Sequence, residues 1–370
     1  PHPRPSMVLP VNLSFLMHKP TGISTYARHV ARALRQHPDL DPIFLVADRH
    51  DDFTAARRLP ISAQMTPEQG MSGHCRRLLW TQFALPRICR QLWAEALFSP
   101  IPEAPIGAIN PNFRYVVTAY DLIPLRFPQK VTPLLAYNKF YVPEVLRRAD
   151  RILAISTATA RDLRSFLQID SRKIEVIPLA YDREQYYDRN LPRSNYFVYI
   201  GRQEPYKNLD RVIQALAQTP GDIELHILGQ VDSRYAPALQ QRAKALQISH
   251  RVKFCGYIPE AELPQRLGQA IGLVFPSLWE GFGLPILEAM ACGTPVITSD
   301  FGSMPEVAGD AALLVDPYSV TMIAAAMRVL WNDEAARSQL RRLGLERVKA
   351  FSWEKTGRAT GDALHYLLDR

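Results

Sequence analysis

The chain has 370 residues, 47% apolar and 22% charged, with a formal net charge of +8. That length allows about two to three domains and that composition suits a soluble globular protein. It excludes a bilayer-spanning helix, because no apolar run approaches the roughly 20 residues needed. The four cysteines (Cys75, Cys89, Cys255, Cys292) are scattered and the nine histidines lack ligand spacing. No disulfide framework and no metal site is expected, and a cytoplasmic location fits. No charged region with a long apolar core opens the sequence, so no signal peptide is expected. The basic residues are spread out, and clusters such as Arg57-Arg58 and Arg341-Arg342 are short. Nucleic acid is therefore not an expected partner, whereas peripheral contact with an anionic membrane face is compatible with the charge.

Strands alternate with helices along the chain, which argues α/β architecture with parallel sheets. Val8–Phe15 reads as a strand, Ser24–Arg35 as a helix after a loop holding Gly22, and Pro42–Ala47 as a strand. Cys75–Trp93 reads as a helix broken near Pro86. Strands at Ala96–Ser99 and Tyr115–Tyr120 follow, then a helix at 133–148, a strand at Arg151–Ile155, a helix at Thr157–Leu167 and a strand at Ile174–Ile177. The polar, unperiodic segment Leu179–Asn195 reads as a linker. The alternation then restarts with strands at Tyr196–Ile200, Glu224–Leu228, Val252–Phe254, Leu273–Phe275 and Pro295–Thr298. Helices are expected at Leu209–Ala217, Ala236–Leu246, Glu260–Leu267 and Pro285–Cys292. Three more, near Val320–Leu330, Glu334–Lys349 and Trp353–Leu368, close the chain. The pattern predicts two doubly wound, Rossmann-like domains facing each other across a cleft, residues 1–185 and 186–350, with 351–370 as a final helix. Ligands of such sheets bind at the carboxyl ends of the strands.

Four stretches stand at such ends. Glu280 and Glu288, seven residues apart, flank the turn Gly281-Phe282-Gly283, with Pro285 at a helix start and Gly293 just past its end. Free N–H groups of Gly283 and Leu284 would suit a diphosphate, and two acids beside them would suit the hydroxyl groups of a nucleotide sugar. Either glutamate alone would pass for a loop acid or an acid near a helix start. Gly201-Arg-Gln-Glu-Pro-Tyr-Lys207 follows a strand but carries a single glycine, so it matches neither a Walker loop nor a dinucleotide fingerprint. Arg202 and Lys207 would meet phosphate oxygens with side chains instead. Lys19-Pro-Thr-Gly22-Ile-Ser offers a backbone that a ligand can approach closely. Tyr120-Asp121 ends another strand, at a ligand-facing position. The pair Asp39-Leu-Asp41 reads as a turn.

Together these residues resemble the retaining nucleotide-sugar glycosyltransferases of family 4, with the two-domain GT-B fold, most closely the mannosyltransferase-like branch. Glu280 to Glu288 matches that family's paired-glutamate motif, and Gly201-Arg202 with Lys207-Asn208 matches its diphosphate loop. The stretches Asp300–Ala312 and Phe351-Ser-Trp also match in character. The resemblance implies a hexosyltransferase using a GDP-mannose or UDP-glucose type of donor, without a cofactor or metal. Its acceptor would be a saccharide or lipid-linked saccharide. Arg202 and Lys207 would neutralise the leaving diphosphate, Glu288 would hold the ribose hydroxyls, and Glu280, Phe282 and Gly283 would hold the hexose. Gly22 would line the diphosphate from the other domain, and the last helix would cross back onto the N-terminal domain. Backbone near Tyr257 and Ile258 would meet the base. The family usually has His-Asp where this chain has Tyr120-Asp121; a tyrosine keeps a hydrogen bond to the hexose but not a cation. Arg202→Ala and Glu280→Ala are each expected to cut transfer while leaving the fold intact. A sugar-nucleotide sensor and an NAD-dependent oxidoreductase are the alternatives, the second disfavoured by the missing glycine fingerprint.

Overall fold

The computed structural model describes residues 7–17, 21–47, 53, 56–107, 109–110, 112–128 and 136–368. The chain divides into two compact units, Pro1–Leu179 with Trp353–Arg370, and Ala180–Ser352. The expected boundaries stood at 185 and 350.

The first unit is built on seven strands: β1 Met7–Asn12, β2 Leu40–Ala47, β3 Arg58–Ile61, β4 Ala96–Ser99, β5 Arg114–Ala119, β6 Arg151–Ala154 and β7 Ile174–Val176. They form one sheet in the order β3-β2-β1-β4-β5-β6-β7, every pair parallel. The second unit holds β8 Tyr196–Ile200, β9 Glu224–Leu228, β10 Val252–Gly256, β11 Gly272–Phe275, β12 Val296–Ser299 and β13 Ala312–Val315. Their order is β10-β9-β8-β11-β12-β13, again all parallel. Both are Rossmann-like, as the alternating pattern predicts. In each, the order reverses at one place, between β1 and β4 and between β8 and β11, and such switch points are where open α/β sheets bind ligands.

The central strands are continuous apolar runs because helices cover both faces of a parallel sheet. Phe197, Val198 and Tyr199 of β8 and Leu273 and Val274 of β11 are fully buried. Helix Leu209–Ala217 closes over them with Leu209, Val212, Ile213 and Leu216. Local signals set the helix ends. Ser156 accepts the Thr159 amide to start helix Thr157–Leu167, and Gln168 ends it in the left-handed region.

Some expectations change. The break expected near Pro86 in the helix at Cys75–Trp93 stands between Gly70–Phe83 and Leu85–Gln91, and the first of them starts five residues earlier than expected. Pro86 stands in the first turn of the second, where its missing N–H costs nothing. The helix expected from 133 is seen from 136, with 133–135 outside the described residues; it opens with a π turn at Tyr137–Tyr141 before Val142–Arg148. Pro143 donates no N–H to that turn, which fits the wider i to i+5 pattern. Strands β3 and β13 and helix Met304–Ala308 carry too few residues to show a period. The expected linker is laid along the second unit rather than free. Arg193 donates to the carbonyls of Gly268 and Ala270 at 2.9 and 2.8 Å, and Arg183 to that of Phe351 at 3.0 Å.

The final helix, Trp353–Leu368, belongs to the first unit and packs on helix Gly22–Leu34. A methyl group at Gly357 would come within 2.3 Å of the Ala33 Cβ. Trp353 stacks on His29 at 4.7 Å, and the Thr356 hydroxyl donates to the Pro178 carbonyl at 2.7 Å.

Candidate active site

The switch point of the second unit is flanked by the loops that leave β8 and β11. They carry Gly201–Lys207 and Pro276–Gly283, two of the stretches singled out from sequence, which the fold brings together. Lys207 and Glu280, 73 residues apart, meet directly: the Lys207 ammonium donates to Oε1 and Oε2 of Glu280 at 2.7 and 2.8 Å. Both side chains are largely shielded, at 15% and 9% exposure. The sequence reading set Lys207 against phosphate oxygens; in the protein alone Glu280 supplies the opposite charge. This pairing corrects the expectation for Glu280→Ala. Removing one member strands the other charge in a poorly solvated place, a destabilising change.

The loops are fixed from below. Asn208, left-handed at φ 65°, is buried and donates to the carbonyls of Pro276 at 2.8 Å and Pro317 at 2.7 Å. That joins the segments after β8, β11 and β13. The Leu278 amide donates to the Tyr206 carbonyl at 2.7 Å. Beneath the loop the fully buried Tyr199 hydroxyl lies 3.0 Å from the Arg202 carbonyl and 3.4 Å from that of Lys207. On the β9 side, buried Gln203 donates to the Gln230 carbonyl at 3.2 Å and accepts from the Asp232 amide at 2.6 Å. Gly201 and Gly229 end neighbouring strands with φ 143° and 138°, and a methyl group at Gly229 would strike the Gly201 carbonyl oxygen at 2.5 Å.

Arg202 differs from Lys207. Its side chain is 80% exposed, and it stands a loose 3.7 Å from the Glu204 carboxylate. It borders an open pocket of about 400 Å³ lined also by Gln230, Val231, Asp232, Ser233 and Arg234. An extended, solvated guanidinium there is available to a phosphate.

Past Glu280, Gly283 adopts φ 105° and no side chain caps helix Leu284–Ala291, which Pro285 helps to start. Its first amides point out of the helix as orphan donors with the positive end of the dipole behind them. Ser303 braces the turn before it: its hydroxyl lies 2.9 Å from the Glu280 carbonyl and 2.8 Å from that of Phe282, sharing one hydrogen. Phe282 is buried edge-on against Phe351. One turn into the helix, Glu288 is partly accessible, yet the protein packed around its carboxyl group raises its pKa from 4.5 to about 7, with Glu260 adding like-charge repulsion. Tyr257 and Ile258 follow β10, the former exposed. That strand lies two places from β8, about 10 Å along the sheet, so the loops after β8 and β10 open on the same end.

The remaining expected residues stand in the first unit. Gly22 is the first residue of its helix; Thr21 caps it by accepting the Ser24 amide, and Gly22 has no positive φ. Lys19 and Pro20 of that stretch lie outside the described residues. Tyr120 and Asp121 follow β5. The Tyr120 hydroxyl donates to the Pro100 carbonyl at 2.7 Å, and its ring meets Tyr26 edge-on at 5.7 Å. Burial pushes its pKa well above the usual phenol value, so it holds its proton. Asp121 accepts the Ile123 amide at 3.0 Å, just before the short helix Ile123–Arg126.

Two family models divide the chain. Residues 20–185 match Glycosyltransferase Family 4, and residues 183–347 match the glycosyl transferases group 1. The chain is a family-4-type glycosyltransferase of the GT-B fold. It is similar to the O-antigen chain mannosyltransferase B of Escherichia coli, 34% identical over 63% of this chain and 60% of that one. The chain thus spans less than two thirds of that relative. It is also similar to the O-antigen chain mannosyltransferase RfbU of Salmonella typhimurium, 27% identical over 83% of this chain and 86% of that one. In fold it matches Anabaena HepE in complex with UDP and glucose, with a TM-score of 0.73 at 18% identity, over 97% of this chain and 99% of that one.

In this glycosyltransferase, Asn208, Gln203, Tyr199 and Ser303 were not foreseen as site supports. Asn208 had a signal, a residue tolerant of left-handed backbone just before a helix. Ser303 had none, because its partners are carbonyl groups more than 20 residues away.

Proposed function

We propose that this glycosyltransferase moves a hexose, with retention of anomeric configuration, from a nucleoside-diphosphate sugar to a hydroxyl of a saccharide or lipid-linked saccharide during polysaccharide or glycolipid synthesis. The observation that carries the reading is the meeting, at one switch point, of exposed Arg202, the Lys207–Glu280 pair and the uncapped start of helix Leu284–Ala291. The names of the two mannosyltransferase relatives favour a GDP-mannose type of donor.

In the reaction the bond from the anomeric carbon to the diphosphate oxygen breaks, leaving positive charge on the sugar ring and negative charge on the diphosphate. Arg202, Lys207 and the Gly283 and Leu284 amides are aimed at that developing negative charge, which is the arrangement that lowers such a barrier most. As the diphosphate engages Lys207, Glu280 is freed to accept hydroxyl groups of the hexose, with Phe282 and Gly283 beside it. Glu288 accepts the ribose hydroxyls, and the base lies near Tyr257 and Ile258. The acceptor oxygen forms the new bond on the face that the diphosphate leaves, and its proton passes to a diphosphate oxygen. The cations do the work of a metal in this scheme.

Incubation with GDP-mannose and UDP-glucose, each with a saccharide acceptor, tests the reading. Nucleoside diphosphate should be released from one donor, and NMR of the product should show the donor's anomeric configuration. Arg202→Ala should slow release by about 10²–10³-fold. Inversion would refute retention, and release from neither donor would refute the transferase assignment.

A further inference from the structure

Helix Gly70–Phe83 is turned inside out. The faces of such helices normally set apolar residues toward the core, but this one buries Gly73, Arg77 and Thr81. Arg77 is held inside by a two-point pairing with Glu103, Nε to Oε2 at 2.8 Å and Nη2 to Oε1 at 2.9 Å, and it donates to the Met65 carbonyl at 3.3 Å. Tyr137 donates to the same carboxylate at 2.8 Å. Outward stand Met71, Cys75, Leu79 and Phe83, four residues apart and so on one stripe. Leu79 is 60% and Phe83 64% exposed. Alongside, Phe140 is 66% exposed on the turn Tyr137–Tyr141, which touches the helix through the His74 and Tyr137 rings and a Gln82–Tyr141 hydrogen bond of 3.1 Å.

The charges around this stripe are mostly positive, with exposed Glu68 and Glu95 at its two ends. Residues 69–94 contain four arginines and no aspartate or glutamate. Arg76, Arg87 and Arg90 are exposed, and Lys139, also exposed, stands over the Phe140 ring. The occupant must therefore accept apolar side chains and be anionic. A second copy fits poorly, since a two-fold contact would set this predominantly basic surface against itself in a chain of net charge +8. An anionic bilayer surface fits both features: Leu, Met and Phe enter the headgroup boundary while arginine stems keep their charges at the lipid phosphates.

We propose that the outward face of helix Gly70–Phe83, centred on Met71, Leu79 and Phe83 with Arg76 and Arg87, docks on anionic lipid. The inference is independent of the donor assignment. It would hold the first unit against a membrane by surface contact, without a spanning segment.

The test is flotation of the full chain with phosphatidylglycerol-rich vesicles and with phosphatidylcholine vesicles. Comparison is with the double variant Leu79→Glu, Phe83→Glu, whose exposed positions leave the core untouched, as an unchanged melting temperature would verify. Wild type should float with anionic vesicles, less so at high salt and weakly with neutral ones, and the variant should bind at least about tenfold more weakly. No binding by wild type, or equal binding by the variant, would overturn the proposal. A wild-type dimer that the double variant dissociates, without lipid binding, would assign the face to a second copy and overturn it too.

Discussion

Burial of the Glu288 carboxyl carries a pH-dependent cost in stability. That carboxyl has a pKa near 4.5 in an unfolded chain and about 7 in the folded one. The folded state therefore binds more protons between those values, so the burial penalty is absent below about pH 4.5 and grows as pH rises through 7. We expect Glu288→Gln to gain stability over wild type at pH 8 but not at pH 4.5, by about 1–3 kcal/mol given the partial access of the group. The same variant should bind nucleotide less well, because an amide is a weaker acceptor for ribose hydroxyls. Thermal melts at the two pH values check the first part; an equal difference at both would contradict it. In the sequence, Glu280, Glu288 and Arg202 stand out as acids and a cation beside glycine turns, although either glutamate alone would pass for a loop or helix-start acid. Tyr120 was not legible. Its hydroxyl serves the Pro100 carbonyl, a partner that no local pattern announces.

At the scale of elements, the two loops after β8 and β11 act as one piece. The Lys207–Glu280 pair, the Asn208 amide and the Leu278–Tyr206 bond join them. Lys207→Ala and Glu280→Ala should each destabilise the second unit by about 3 kcal/mol, a fall in melting temperature on the order of 10 °C. The double replacement, which leaves no stranded charge, should cost less than the sum of the two. Melting of the three variants measures this, and strict additivity would deny the coupling. Helix Thr157–Leu167 was readable to the residue because its period and its Ser156 cap agree, and Leu209–Ala217 because of its regular apolar period at Leu209, Val212, Ile213 and Leu216. Short β3 and β13 were not, and helix Gly70–Phe83 misleads any pattern reading, since its buried face is the polar one. Glu103, after β4 in another part of the chain, holds Arg77 inside, together with the Met65 carbonyl.

For the whole molecule, two all-parallel sheets with one reversal of strand order each make the carboxyl ends of β8 and β11 the natural place for a nucleotide. Alternating periods in the sequence contain that architecture; the pairing of Lys207 with Glu280 and the bracing by Ser303 arise only on folding. The central claim is that the second unit binds a nucleoside diphosphate through Arg202. Calorimetric titration of GDP, UDP and ADP into wild type and Arg202→Ala tests it most directly. One nucleotide should bind clearly to wild type and about tenfold or more weakly to the variant, the loss expected for a charge-assisted contact of about 1.5–3 kcal/mol. Binding of none of the three, or equal affinity in both proteins, would contradict the account.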